Sequence, residues 1–381
     1  MILEISKNSK IMNIKAFSLL LFCVGFLACA QEDTTIETLE NDYSHEVIID
    51  NIDIAWGMDF FKDGSFLVTS KDGQLFYHKN GNTSKVADVP NVYNRGQGGL
   101  LDVKIHPEYP DKPWIYLTHA STQVDEEGGH TALVRAEFKD GQVSNMKTLY
   151  KAGPNTTKGQ HFGSRLEFDK DGYLFMSIGE RGAREVNPQD ITRDGGKIYR
   201  FNEDGSIPED NPFYMLENSK KAIYSYGHRN PQGMEIHPET GEIWVHEHGP
   251  RGGDEINIIK KGANYGWPII SYGINYNGTE FTDNTTMAGM EQPFYYWVPS
   301  IAPSGMTFVT SDKYPELKGN LLAGSLKFQY LEHVAFNDNG VQKREKLLDK
   351  IGRIRSVEQS PDGFIYVGVE GIGVVKMLPK S

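Results

Sequence analysis

Cysteine is nearly absent from this 381-residue chain: the two present, Cys23 and Cys29, both fall in the first thirty residues. The rest of the chain therefore has no disulfide, no zinc–thiolate site and no thiol nucleophile. Long apolar runs are lacking too. Ala16–Ala28 is about 13 residues, short of the ~20 that span a bilayer. A basic excess is also missing: 39 Lys and Arg against 51 Asp and Glu leave a formal charge of −12, which excludes a non-specific nucleic-acid binder. No long stretch carries the 3.6-residue apolar period of an amphipathic helix.

The cysteines belong to an export signal. Lys15 precedes the apolar run and Met12 is a plausible start, so residues 1–28 read as a signal peptide. Phe26-Leu27-Ala28-Cys29 resembles a bacterial lipobox, which implies lipidation at Cys29, attachment to a membrane and a periplasmic or outer-membrane-anchored protein. The alternative is cleavage after Ala28 or Ala30 without lipid. Residues 29–45 read as a polar tether and residues 46–381 as one domain. Loss of residues 1–28 removes three Lys and one Glu and takes the charge to −14.

What the chain does have is Gly, 40 residues of it, and 11% aromatics, the pairing of tight turns with aromatic-rich strands. Six units repeat a turn followed by a strand-like run. They are Asp63-Gly64 before Ser65–Thr69, Lys112-Pro113 before Trp114–Thr118, Asp171-Gly172 before Tyr173–Ser177, Thr240-Gly241 before Glu242–His246, Lys318-Gly319 before Asn320–Gly324, and Asp362-Gly363 before Phe364–Gly368. Their markers are 49, 59, 69, 78 and 44 residues apart, a mean of about 60, enough for one four-stranded sheet plus insertions. The expected fold is all-β, a six-bladed β-propeller. A pair of β-sandwiches is the alternative, disfavoured because no Pro/Gly/Ser-rich linker divides residues 46–381.

Propellers bind ligands on the loops around their axis, so chemistry is expected between the repeats. Asn94–Asp102 is glycine-rich with no helix after it, which argues against a phosphate loop and for a tight turn presenting Gln97. His161, in the loop before a strand, is placed to act as a base near neutral pH. Gly179-Glu180-Arg181-Gly182 closes the next strand. Tyr226–Gly233 carries Arg229 and Asn230, and His246–Glu255 follows. His246 and His248 alternate along a strand, as a transition-metal pair would. Asp254, Glu255 and the carbonyls of the Gly249-Pro250 turn suit a hard cation such as Ca²⁺ instead. Arg353 and Arg355 alternate near the C-terminus as a candidate anion site, or as surface arginines paired to local acids.

Taken in order along the chain, Gly227–Gly233, Glu247–Glu255 and Arg353-Ile354-Arg355 resemble the soluble pyrroloquinoline-quinone (PQQ)-dependent glucose and aldose sugar dehydrogenases, over about Ile52 to Lys376. The resemblance implies a six-bladed propeller that oxidises the anomeric carbon of an aldose to a lactone and passes electrons to an external acceptor. It also implies that His161 is the general base, with Arg229 beside the reactive quinone carbonyl and Asn230 next to it on the cofactor. Lys327, Arg353 and Arg355 match the cations that hold the cofactor's carboxylates, and Gln97 a polar residue on the sugar side. The carbonyls of Gly249 and Pro250 match the ligands of the calcium that meets the cofactor, and Glu255 and Tyr265 those of a second, structural calcium. Gln160 and Glu180 depart from the glucose-specific pattern, which points to broad aldose use.

The cofactor's chemistry agrees with these cations: three carboxylates and an ortho-quinone need fixed positive charge and a Lewis acid. Two other functions compete. A calcium-dependent propeller lactonase shares the fold and the metal but has no need of Arg229, Lys327, Arg353 and Arg355. A non-catalytic carbohydrate-binding propeller has no need of His161.

Overall fold

The computed structural model describes residues 36–38, 43–123 and 126–379. The expected export segment, its lipobox at Cys29 and most of the expected tether lie outside the described residues. No helix among the described residues is long and apolar enough to cross a membrane.

Each of the six turn-plus-strand repeats forms the second strand of one sheet. These second strands are Phe66–Ser70, Trp114–Gln123, Leu174–Ile178, Ile243–Glu247, Leu321–Ser325 and Ile365–Val369, and each pairs with a first strand before its turn. The first strands, Ala55–Phe60, Leu100–Ile105, Leu166–Phe168, Pro231–Ile236, Pro303–Phe308 and Ile354–Gln359, follow one another around a central axis. We call the six sheets blades 1 to 6 in that order. The architecture is the six-bladed propeller that the repeats predict.

Ring closure uses both ends of the domain. Blade 6 takes its outer strand from His45–Asp50, which runs antiparallel to Gly373–Met377. At the axis, Ser356 Oγ of blade 6 donates to Ala55 O of blade 1 at 3.2 Å. Ile36–Thr38, within the expected tether, runs parallel to Gly340–Leu347 as a fifth strand on blade 5.

Between blades the faces are apolar. Phe61, Leu67, Leu100, Val103, Leu117 and Phe138 fill the interface of blades 1 and 2, and Val309, Leu322, Leu331, Val357, Val367 and Val375 that of blades 5 and 6. Burying one such side chain stabilises the fold by roughly 1.5–3 kcal/mol, so sheet-on-sheet packing supplies what disulfides do not.

A second layer of order lies at the axis. The first strands of blades 1, 2, 4, 5 and 6 each carry a register shift near their start. A bulge frees one residue from the ladder and re-aims its polar groups. Arg165, just before the first strand of blade 3, collects carbonyls freed in this way. It donates to Gln232 O at 2.7 Å, Arg355 O at 2.7 Å and Trp56 O at 3.3 Å, pairs with Asp102 at 3.2 Å, and lies 4.2 Å over the Trp56 ring. One buried guanidinium therefore links blade 3 to blades 1, 2, 4 and 6.

Candidate active site

Strands alternate in direction, so the connections between blades and the second-to-third connections within blades emerge on the same face. Every residue singled out in the sequence lies on that face or at its edge. Gln97, His161, Arg229 with Asn230, and Arg353 lie between blades 1–2, 2–3, 3–4 and 5–6, and Arg355 lies at the start of the first strand of blade 6. Glu180, Gly249-Pro250 and Lys327 follow the second strands of blades 3, 4 and 5. Glu255 lies in the third strand of blade 4, and Tyr265 in the long connection after it.

A cavity of about 370 Å³ opens there, lined by His161, Glu180, Arg184, Arg229, Pro250, Trp267 and Tyr276, among others. His161 holds a left-handed backbone conformation, φ 58°. Its amide donates to Gln97 Oε1 at 2.8 Å, and its Nδ1 donates to Glu180 Oε1. That bond leaves Nε2 as the proton acceptor and fixes the tautomer. Burial lowers the pKa of His161 below the usual imidazole value, with Arg229 and Arg181 acting in the same direction against the bond from Glu180. The imidazole is therefore neutral near pH 7. Glu180 is an orienting carboxylate that the sequence had marked only as a departure.

Five buried donors in this region lack an acceptor: Arg181 Nε, Arg229 Nε, Asn230 Nδ2, Trp267 Nε1 and Arg355 Nε. Unpaired buried donors are rare, and each such group asks for a partner. Those on Arg229, Asn230 and Arg355 belong to residues that the resemblance assigns to the cofactor, and an anionic, carbonyl-rich ligand fits these three donors. Arg229 is held by Glu247, which accepts its main-chain amide at 2.6 Å and the His228 ring at 2.8 Å, while its Nη1 donates to His248 O at 2.9 Å.

Arg353 and Arg355 converge on one acid. Glu370, in the turn after the second strand of blade 6, accepts from Arg353 Nε at 2.6 Å and from Arg355 Nη2 at 2.7 Å. The local-acid alternative is thus realised, yet Arg355 Nε is still left over. Arg353 precedes the strand rather than lying in it. Lys327 is exposed, with Nζ 4.8 Å from the Phe328 ring centre, and neither it nor Gln97 lines the cavity. Gln97 supports His161 instead.

Beside Arg229, a void of about 10 Å³, the size of one water or ion, is bounded by Glu247, Gly249, Glu255 and Tyr265, among others. Asn257 donates to both Glu247 and Glu255 at 3.1 Å, while its buried Oδ1 has no donor. Gly249 has no room for a side chain: a Cβ would stand 2.0 Å from Gly253 O. Asp254 fixes this turn from behind, accepting from Gly249 N at 2.8 Å and Ala302 N at 2.7 Å. An ion-sized space walled by carboxylate and carbonyl oxygens fits a hard ion such as Ca²⁺. Tyr265 does not offer its hydroxyl, which donates to Ile258 O at 2.6 Å and accepts from Lys260 N at 2.8 Å, so only its carbonyl can serve. His246 and His248 are not a metal pair: their Nε2 atoms meet the carbonyls of Gly305 at 3.2 Å and Pro303 at 2.8 Å.

Residues 52–374 match the family model described as glucose/sorbosone dehydrogenase. The chain belongs to this family of oxidoreductases. It is similar to the aldose sugar dehydrogenase of Escherichia coli, 40% identical over 330 residues that cover 84% of this chain and 88% of that one. The crystal structure of the soluble aldose sugar dehydrogenase from the same organism, in its apo form, superimposes with a TM-score of 0.85 at 38% identity, covering 89% of this chain and 100% of that one. Quinoprotein glucose dehydrogenase B of Acinetobacter calcoaceticus is 30% identical over 261 residues, 60% of this chain and 53% of its own length.

Proposed function

We propose that this protein is a PQQ- and calcium-dependent aldose sugar dehydrogenase that oxidises the anomeric carbon of its substrate to a lactone. The observation that carries the reading is one cavity lined by a neutral histidine, by the carboxylate that orients it and by Arg229, whose buried Nε has no acceptor. When bound, the quinone supplies the two-electron acceptor and calcium the Lewis acid.

The chain's own residues do the rest. His161 Nε2 takes the proton of the anomeric hydroxyl, and Glu180 stabilises the imidazolium through Nδ1. Arg229, Asn230 and Arg355 would hold the cofactor's oxygens. The carbonyls of Gly249 and Pro250 would hold the calcium beside it, and Glu255 and the Tyr265 carbonyl a second calcium. Export to the periplasm with a lipid at Cys29 belongs to the same proposal, since an enzyme passing electrons to an external acceptor can work outside the cytoplasm.

The test is reconstitution. The cofactor-free protein is titrated with PQQ and Ca²⁺ and then assayed for dye reduction and lactone formation with a panel of aldoses. A shifted spectrum of bound PQQ with sugar-dependent dye reduction is expected. No spectral change and no reduction, with lactone hydrolysis instead, would select the lactonase.

A further inference from the structure

Arg181 is a buried cation whose hydrogen bonds all go to main-chain carbonyls. Its guanidinium lies 3.4 Å over the Phe162 ring, donates through Nη1 to Gln160 O, and through Nη2 to Gly129 O at 3.0 Å and Lys158 O at 2.9 Å. Its own amide donates to His161 O at 3.3 Å. Burying a charge without a carboxylate in contact is costly, and an apolar side chain would pack on Phe162 without that cost.

What the guanidinium adds is a fixed fork. The loop before the base has four successive carbonyls, and all are taken: Lys158 O and Gln160 O by Arg181, Gly159 O by Gln97 N at 2.6 Å, and His161 O by the amide of Arg181. Gln97 Oε1 takes the His161 amide from the other side. His161 and Arg181 both sit at φ 58°, a conformation that a histidine or arginine holds only where its surroundings impose it.

We propose that Arg181 is a positioning residue for the reaction: by clamping the carbonyls on either side of residue 159, it holds the left-handed turn that aims His161 into the cavity with Nδ1 on Glu180. The inference rests on His161 being the base. It extends that reading to a residue that touches neither substrate nor cofactor.

The test uses R181M and R181K, the second keeping the charge and the stem but not the fork. Three quantities are compared with the wild type: the PQQ dissociation constant in Ca²⁺, the kcat and KM for an aldose, and the titration of the His161 ring followed by NMR in the cofactor-free protein. Expected in both variants are a PQQ affinity within about threefold and a kcat lower by about 10²-fold, the usual consequence of a reacting group misplaced by about 1 Å. The His161 titration should also move to higher pH in R181M, because a nearby cation is gone. If R181M does not fold, R181K carries the kcat and affinity expectations.

Unchanged kcat, or a loss of PQQ affinity as large as the loss of kcat, would overturn the proposal. The NMR titration does not depend on His161 being the base. An H161Q variant with wild-type turnover would sink that reading separately.

Discussion

Arg165 donates from Nη2 to the carbonyl of Arg355 at 2.7 Å, tying the inner edge of blade 3 to that of blade 6 across the propeller axis. The relationship matters because Arg355 carries an unpaired donor at the candidate cofactor site, so the link between blades and that site share a support. Replacing Arg165 by Met strands Asp102 as a buried carboxylate and leaves the carbonyls of Trp56, Gln232 and Arg355 without their donor. We expect R165M to lose about 3–5 kcal/mol in chemical denaturation, the usual effect of breaking a buried pair. A loss below about 1 kcal/mol would show that the hub contributes little.

Glu370 neutralises part of the charge that an anionic cofactor would meet. It holds Arg353 and Arg355 together in the free protein, and an incoming carboxylate must share them with it. E370Q leaves two arginines without their acid. The cofactor-free protein should lose on the order of 2 kcal/mol, while PQQ should raise the Tm of the variant by more than it raises that of the wild type. Thermal scans with and without PQQ measure both quantities, and an equal or smaller ligand-induced rise in the variant would show that Glu370 does not compete.

Farther down the axis, equivalent positions of the inner strands carry Asp59, Lys104, Glu167, Glu235 and Glu358. Lys104 pairs with Glu167 at 2.6 Å and attracts the carboxylates of Glu235 and Glu358. Burial, and then the neighbouring carboxylates against the pull of Lys104, raise the pKa values of these two glutamates well above normal. A carboxylate whose folded pKa is raised destabilises the fold once pH exceeds the unfolded value near 4.3, and increasingly up to the folded value. E358Q should therefore be more stable than the wild type at pH 8 by on the order of 1–3 kcal/mol, with the gain fading toward pH 4. A pH-independent difference would remove titration of this ring as its cause.

Turnover of the reconstituted wild type should be limited on the acid side by His161. The base works neutral, and burial with Arg229 and Arg181 holds its pKa below the usual 6.5. The kcat/KM profile should rise with pH through a limb below 6.5 and be flat from there to neutrality. A limb centred above 7 would point to a different group.

The fold was legible because the Asp-Gly, Lys-Pro, Thr-Gly or Lys-Gly turn of each of the six repeats stands just before the second strand of a blade. The loop of His161 and the Gly249-Pro250 turn stand in dense motifs, which is why the sequence singles them out as candidates. Glu370 was not, since it lies fifteen residues beyond Arg355 in an ordinary turn, and only the antiparallel pairing of blade 6 brings it back. Glu180 was seen but given no role, because its contact with His161 depends on a left-handed turn no periodicity announces. Lys327 and Gln97 are a different case. The resemblance gives them cofactor or sugar contacts, whereas here one side chain is exposed and the other supports the base. Arg165 stands four residues after His161, but its partners come from four other blades, a relation of topology rather than spacing.

The account turns on His161 as the group that accepts the proton, and single-turnover reduction of bound PQQ by an aldose, in wild type and H161Q, tests this most directly. With Ca²⁺ present, both proteins should bind the cofactor with the same spectrum and nearly the same affinity. The rate at which sugar bleaches that spectrum should fall by a factor on the order of 10² to 10⁴ in H161Q. Equal rates in the two proteins, or a variant that fails to bind PQQ while reducing what it does bind at the normal rate, would contradict it.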